Sequence, residues 1–163
     1  MKNDQLFNDL TLIVGTKNII TNAEDLEKYN NDWRGFYHNK SLCVLFPENS
    51  NIIKKIVNYC YEKEIKIVPQ GGNTSLTGAS VPSYDDMEII INFSKLNKIL
   101  EIDKSNLTIL VESGSILADI KEYLDKENFY FPIDLSSSGS CMIGGNIATN
   151  AGRINALKYG SIK

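Results

Sequence analysis

The chain has 163 residues, 42% of them hydrophobic and 23% charged, and a net charge of −3. At roughly 150 residues per domain this is one domain at most, too apolar for intrinsic disorder and too acidic for a dedicated nucleic-acid binder. The cationic side chains are 15 Lys and 2 Arg (Arg34 and Arg153), which argues against phosphate recognition by clustered arginine forks.

In chain order, Asp4–Val14 reads as a helix that stops at Gly15, and Thr21-Asn-Ala-Glu24 has the form of a capping box opening a second, short helix. Leu42–Phe46 is a continuous apolar run, as in a buried strand, ended by Pro47. Between Asn49 and Glu62 the apolar positions Ile52, Ile53, Ile56, Val57 and Cys60 share one helical face. Ile65–Val68 is a further strand, stopped by Pro69, so a small βαβ unit with parallel strands is expected. After Pro82, Ile89–Phe93, Ile99–Asp103 and Leu107–Glu112 are short strands separated by polar links, the pattern of an antiparallel meander. Gly114-Ser115 then leads into a helix carrying Ile116, Leu117, Ile120, Tyr123 and Leu124 on one face. The expected class is α+β: a small βαβ subdomain followed by a mainly antiparallel sheet flanked by helices.

Eight of the eleven glycines fall in two windows, Gly71–Gly78 and Gly139–Gly160, and the stretches Pro69–Pro82 and Leu135–Gly152 that hold most of them carry no charged residue. The windows invite two readings. A Gly/Ser/Asn-rich stretch is ordinarily a loop without chemistry. Here Leu76, Val81, Met142, Ile143 and Ile147 punctuate the glycines, which a free linker does not need. Adjacent glycines such as Gly71-Gly72 can take positive φ and turn successive N–H groups to one side, and such an array binds a diphosphate without cationic side chains. Thr74, Ser75 and Thr77 add hydroxyl donors. Walker A fails because Ala79 stands where its lysine should follow, and G-x-G-x-x-G is absent from both windows.

Three widely spaced cysteines (Cys43, Cys60, Cys141) and the single His38 offer no disulfide framework, no metal site and no Ser-His-Asp triad. No apolar run approaches the about 18 residues of a membrane span, and the N-terminus resembles neither a signal nor a transit peptide. The expected location is cytoplasmic. His38 and Trp33 are read as an exposed loop residue and a packing anchor. Glu112 and Asp134 are possible acids, read rather as strand-end carboxylates that accept hydrogen bonds from nearby backbone.

Four ordered motifs carry a resemblance: Asp32-Trp-Arg-Gly35, Val68-Pro-Gln-Gly-Gly-Asn-Thr-Ser75, Phe131-Pro-Ile-Asp-Leu135, and Gly139–Gly152 with Tyr159-Gly-Ser161. The chain resembles the PCMH-type FAD-binding domain of the vanillyl-alcohol oxidase superfamily, and within it the D-2-hydroxyglutarate and D-lactate dehydrogenase branch. The resemblance implies residues 1–31 as an N-terminal helical segment and 32–163 as the N-terminal part of the FAD-binding domain, incomplete at its C-terminus. It implies that Gln70, Gly71, Gly72, Asn73, Thr74 and Ser75 cradle the FAD pyrophosphate, with Gly78, Ser80 and Val81 continuing along the cofactor. Pro132, Gly139, Ser140, Gly144, Gly145, Asn146, Asn150 and Gly152 would line the ribityl and isoalloxazine region.

Asn73 stands where covalently flavinylated relatives carry histidine, so non-covalent FAD is implied, with Cys141 as the one thiol near the window. Arg153 replaces a glycine common in the family, and Ser136-Ser137-Ser138 a segment often containing Gly and Lys. The implied reaction is oxidation of a small D-2-hydroxy acid by hydride transfer to flavin N5, electrons passing on to an acceptor protein or a quinone. Catalytic and metal-binding groups would lie in a C-terminal substrate domain, leaving this chain alone inactive. A reductase like the one that makes UDP-N-acetylmuramate, and a non-catalytic nucleotide-binding module or inert fragment, are the rival readings.

Overall fold

The computed structural model describes residues 2–83, 88–152 and 155–160. Where length alone suggests one body, the chain divides into two compact units, Met1–Lys95 and Leu96–Lys163.

The first unit runs α1 (Lys2–Val14), a 3-10 turn (Thr16–Asn18), β1 (Ile19–Ile20), α2 (Ala23–Asn30), β2 (Val44–Leu45), α3 (Ser50–Glu62), β3 (Lys66–Gln70) and β4 (Glu88–Asn92). Its sheet has the order β1-β2-β4-β3. As expected of a βαβ unit, β2 and β3 point the same way, but they are not neighbours, because β4 lies parallel between them. The expectation that Ile89–Phe93 belongs to the antiparallel meander is therefore corrected. The physical reason lies in the run itself: all five residues of β4 are buried, Ile89 and Ile91 against α1 and α3, Ile90 with Leu26 of α2. A strand covered on both faces reads as a continuous apolar run, which is the signature of a central parallel strand.

Three smaller expectations also change. β1, an antiparallel pair of residues against β2, gave no sequence signal beyond Ile19-Ile20. The first residue of α2 is set by Asn22 rather than Thr21, since the Asn22 side chain accepts the Glu24 N–H at 3.0 Å. Pro69 does not end β3 but lies within it, opposite Ile91. β3 is the edge strand, and an edge tolerates a residue with no N–H to donate. On the α1–α3 face, Leu6, Leu10 and Val14 recur every fourth residue and bury with Ile56, Cys60, Cys43 and Leu45.

The second unit contains β5 (Ile99–Asp103), β6 (Thr108–Val111), α4 (Leu117–Lys126), α5 (Ile143–Ala148) and α6 (Ala156–Tyr159). β5 and β6 form an antiparallel hairpin with a register irregularity between Ile99 and Glu101. Asp103 closes its turn by accepting the N–H groups of Ser105 (2.9 Å) and Asn106 (3.0 Å). Ile102, Ile109 and Val111 pack with Ile120, Leu124 and Ile143, while Leu117, Ile133 and Cys141 form a second cluster. The α+β class holds, with the parallel part in the first unit and the antiparallel part in the second.

Candidate functional site

Because β2, β3 and β4 are parallel, their carboxyl ends lie on one side of the first unit, and ligands of such sheets bind outside those ends. The first glycine window leaves β3 there. Among the described residues, the backbone N–H groups from Gly71 to Leu76 donate to no protein acceptor, and Thr77 N–H turns onto Ser75 Oγ at 3.2 Å. Thr77 Oγ1 in turn lies 2.9 Å from Ser75 Oγ. Six consecutive unpaired donors beside hydroxyls, with no carboxylate in the loop, make a neutral cradle suited to an anion. The left-handed positions are Asn73 (φ 51°) and Gly78 (φ 71°), not the adjacent pair Gly71-Gly72 from which the sequence reading expected them.

Segment 29–39 straps this loop in parallel, with ties at nearly constant spacing. Gln70 Nε2 donates to Tyr29 C=O (2.8 Å), Asn73 Nδ2 to Asn31 C=O (2.7 Å), and Asn39 Nδ2 to Pro82 C=O (3.0 Å). Between them the Arg34 guanidinium donates to Leu76 C=O, and the Tyr37 ring fills the space beside Gly78. Asp32 organises the strap from inside: its Oδ1 accepts Tyr37 N–H at 2.8 Å, while Oδ2 is buried without a hydrogen-bond partner, 3.9 Å from Arg34 Nε. The Tyr37 N–H holds the Asp32 carboxyl below its ordinary value against the opposing effect of burial, helped by the Phe36 and Arg34 N–H dipoles and the guanidinium.

These ties assign roles within the first window. Gln70 is 1% exposed and its side chain is taken up by Tyr29 and Ser80 carbonyls and by Asn92, so it shapes the loop from below. Asn73 and Ser80 bond each other (2.7 Å), and Val81 is buried. Gly71, Gly72, Thr74 and Ser75 keep their backbone donors unpaired.

The second window, in the second unit, is built differently. Its N–H groups largely turn inward: Ser140 and Cys141 onto Ser137 C=O, Ile143 onto Ser115 C=O and Gly144 onto Ser113 C=O. What reads as a packed loop is in part helix α5, which ends in a Schellman motif with Asn150 left-handed (φ 50°) and Ala151 N–H on Asn146 C=O at 2.8 Å. Asn150 thus has a backbone reason to be there. Gly139, Ser140, Gly145, Asn150 and Gly152 are exposed; Pro132 and Gly144 are half-buried; Asn146 is buried, with its amide on Cys141 Sγ at 3.4 Å. Arg153 and Ser161 lie outside the described residues.

Of the residues weighed singly, His38 is exposed and bonded to Asn31 Oδ1. Trp33 is corrected: it is 66% exposed, because polar ties rather than apolar packing hold the strap. Glu112 accepts the backbone Lys98 N–H (2.9 Å) as expected, whereas Asp134 is corrected: it pairs with the Lys121 side chain (3.1 Å), not with backbone. The three cysteines are free and buried. A hollow of about 810 Å³ lined by Cys60–Lys66 opens at the amino end of β3, away from the cradle. Among the described residues no group of His, Cys, Asp and Glu could hold a metal ion, and no helix is long and apolar enough to cross a membrane.

A neutral row of unpaired N–H donors suited to an anion, at the carboxyl edge of a small parallel sheet, is neither a Walker nor a Rossmann arrangement. The chain belongs to the FAD binding domain family, whose model matches residues 41–163, and its fold is of the PCMH type. FAD is its cofactor.

Over 150 residues it is 42% identical to the mitochondrial D-2-hydroxyglutarate dehydrogenase of Arabidopsis thaliana, covering 92% of this chain and 26% of that protein. With the D-2-hydroxyglutarate–pyruvate transhydrogenase of Saccharomyces cerevisiae it shares 39% over 139 residues, 85% of this chain and 28% of the other. The chain thus spans about a quarter of the length of these curated relatives. The solved structure of alkyldihydroxyacetonephosphate synthase matches 98% of this chain and 34% of its own with a TM-score of 0.87 at 19% identity. For p-cresol methylhydroxylase the values are 91%, 29%, 0.77 and 21%. At such identities the likeness is one of fold alone. The residues present suit the cofactor, since the free N–H row offers a diphosphate donors without charge.

Proposed function

We propose that the chain is the FAD-binding portion of a flavin-dependent oxidoreductase acting on a D-2-hydroxy acid of the D-2-hydroxyglutarate or D-lactate type. The observation that carries the reading is the run of unpaired N–H groups from Gly71 to Leu76. The names of the relatives support the substrate class. Residues 32–163 are taken as the FAD-binding domain, with segment 1–31 lending its helices to the first unit.

Gly71–Ser75 bind the diphosphate through backbone N–H groups, shaped from below by Gln70, and Gly78, Ser80 and Val81 continue along the cofactor. In the second unit Pro132, Gly139, Ser140, Gly144, Gly145, Asn146, Asn150 and Gly152 are assigned to the ribityl and flavin end. FAD supplies the redox chemistry when bound, accepting a hydride equivalent from the substrate α-carbon at N5. The base for the hydroxyl proton and the groups that bind the substrate carboxylate are assigned to a C-terminal substrate domain, and the electrons to an acceptor protein or quinone. FAD is held without a covalent bond, since position 73 offers an amide already bonded to Asn31 and Ser80. A reducing, cytoplasmic location remains part of the proposal, in keeping with three unpaired thiols.

The test is the full-length protein, purified and titrated anaerobically. Bound FAD bleached by D-2-hydroxyglutarate or D-lactate is expected. A colourless protein that takes up no FAD overturns the reading. So does a flavin that neither acid reduces but a reduced nicotinamide does, which is the behaviour of the UDP-N-acetylmuramate type of reductase.

A further inference from the structure

We infer that Arg34 is a positioning residue for the FAD diphosphate, acting through the Leu76–Thr77 peptide on the Ser75 and Thr77 hydroxyls; this rests on the FAD reading above.

Arg34 does not sit in the cradle. Its guanidinium donates to the Leu76 carbonyl from the neighbouring strap, and its Nε stands 3.9 Å from the buried, otherwise unpartnered Oδ2 of Asp32. Asp32 is itself immobilised by the Tyr37 N–H at 2.8 Å. A peptide group is planar, and its C=O and N–H point in opposite directions. Fixing the Leu76 carbonyl therefore fixes the Thr77 N–H, which points away from the strap and onto Ser75 Oγ at 3.2 Å. Ser75 Oγ accepts that bond and lies 2.9 Å from Thr77 Oγ1. One hydroxyl of the Ser75–Thr77 pair donates to the other, and with Ser75 Oγ also accepting the Thr77 N–H the pair keeps one hydroxyl hydrogen to donate. It stands at the end of the free N–H row, where a diphosphate oxygen needs donors.

The alternative is that Arg34 only holds the strap. The strap, however, is already tied at both ends, by Gln70 to Tyr29 (2.8 Å) and by Asn39 to Pro82 (3.0 Å), and the Asn31–His38 bridge closes it on itself. The Arg34 bond falls in the middle, on the one carbonyl whose peptide partner orients a loop hydroxyl. One of only two arginines in the chain is committed to it, with its side chain one-third exposed.

The experiment compares wild type, Arg34→Ala, Arg34→Lys and Ile56→Val as full-length apoproteins, by FAD titration, phosphorus NMR of bound FAD and thermal melting. Ile56 is buried between α3 and the sheet, and its truncation lowers stability without touching the loop. Arg34→Ala is expected to raise the FAD dissociation constant about tenfold, the loss of one charge-assisted hydrogen bond, and to move the phosphorus resonances. Arg34→Lys keeps a cationic donor for Leu76 and should recover part of the affinity. Ile56→Val should melt earlier yet bind FAD as wild type does. Unchanged affinity and resonances in Arg34→Ala overturn the inference while leaving the FAD reading intact. A loss that Ile56→Val reproduces at equal melting temperature also overturns it. Wild-type protein that takes up no FAD overturns the FAD reading, and this inference with it.

Discussion

The ring of Tyr37 occupies the space in which any side chain at position 78 would begin: a Cβ built on Gly78 would lie 2.5 Å from Tyr37 Cγ. Gly78 is also left-handed, with φ 71°. Two independent constraints, one conformational and one steric, therefore demand glycine at the point where the cradle turns back toward β4.

Gly78→Ala separates them. The left-handed backbone alone costs an ordinary residue about 1–2 kcal/mol, and the ring clash adds to this unless Tyr37 swings out. In chemical denaturation, Gly78→Ala should lose at least the conformational part and bind FAD more weakly. Tyr37→Ala introduced into the same chain should restore only the steric part. Full recovery in the double variant would mean that the backbone at position 78 relaxes freely, and the constraint assigned to φ would be wrong.

Asp32 gives the strap an acid limit. Its carboxyl is held below the ordinary value, chiefly by Tyr37 N–H, so the folded pKa lies under the unfolded one of about 3.9. The stabilisation it contributes is complete above the unfolded value and is lost as pH falls through the folded value. Wild type and Asp32→Asn should therefore show the same pH dependence near neutrality. They should diverge on the acid side, where wild type falls more steeply. The check is the denaturation midpoint followed from neutral to acid pH; parallel acid limbs would show that Asp32 is not the titrating group.

FAD should leave the protein on acid precipitation. Asn73 brings no imidazole, and Cys141, the one thiol in either window, is 2% exposed within the Leu117–Ile133 cluster. The remaining thiols are no better nucleophiles: burial pushes Cys43 up to about 12, with Cys60 adding to it, and burial pushes Cys60 up to about 11. None of the three should react with a thiol reagent at mildly alkaline pH until the protein is denatured. Flavin fluorescence persisting on the precipitated polypeptide would contradict this and would point to Cys141.

How much of this was legible in the residues depends on range. The α3 face, the α4 face and the neutral glycine loop are local patterns, and they stand where periodicity and composition put them, except that Val57 and Tyr123, counted on those faces, are exposed. Ile89–Phe93 was misread because a strand's neighbours are a non-local property: the triple isoleucine gives burial on both faces but not the two partners, β2 and β3, that cause it. The strap is a second non-local feature, built from bonds some forty residues apart in sequence, and no spacing rule marks Arg34 as the donor to Leu76. The capping geometry beyond the helix ends carries no sequence signal either. α3 and α4 finish in Schellman motifs on left-handed Glu64 and Asn128, and neither has the glycine that usually announces one.

The adjacent glycines of α5 allow a final separation of structure from binding. Gly144 N–H bonds Ser113 C=O at 2.8 Å, and a Cβ at position 144 would meet Ser113 Cβ and its carbonyl oxygen at 2.8 Å. Part of that obstacle is backbone, so Gly144→Ala must push α5 off the Ser113–Ser115 turn. It should cost about 1–3 kcal/mol, the range of an overpacked site. Gly145 has nothing within 4 Å of the corresponding point and is exposed. In a helix interior, alanine is favoured over glycine by about 1 kcal/mol, so Gly145→Ala should leave the protein as stable as wild type or slightly more so. If Gly145 lines the flavin, that same variant should bind FAD more weakly, because the added methyl enters space the cofactor needs. Melting curves and FAD titrations of the two variants therefore move apart: Gly144→Ala loses stability first, and Gly145→Ala loses affinity alone. Wild-type affinity in Gly145→Ala would remove position 145 from the proposed flavin contacts.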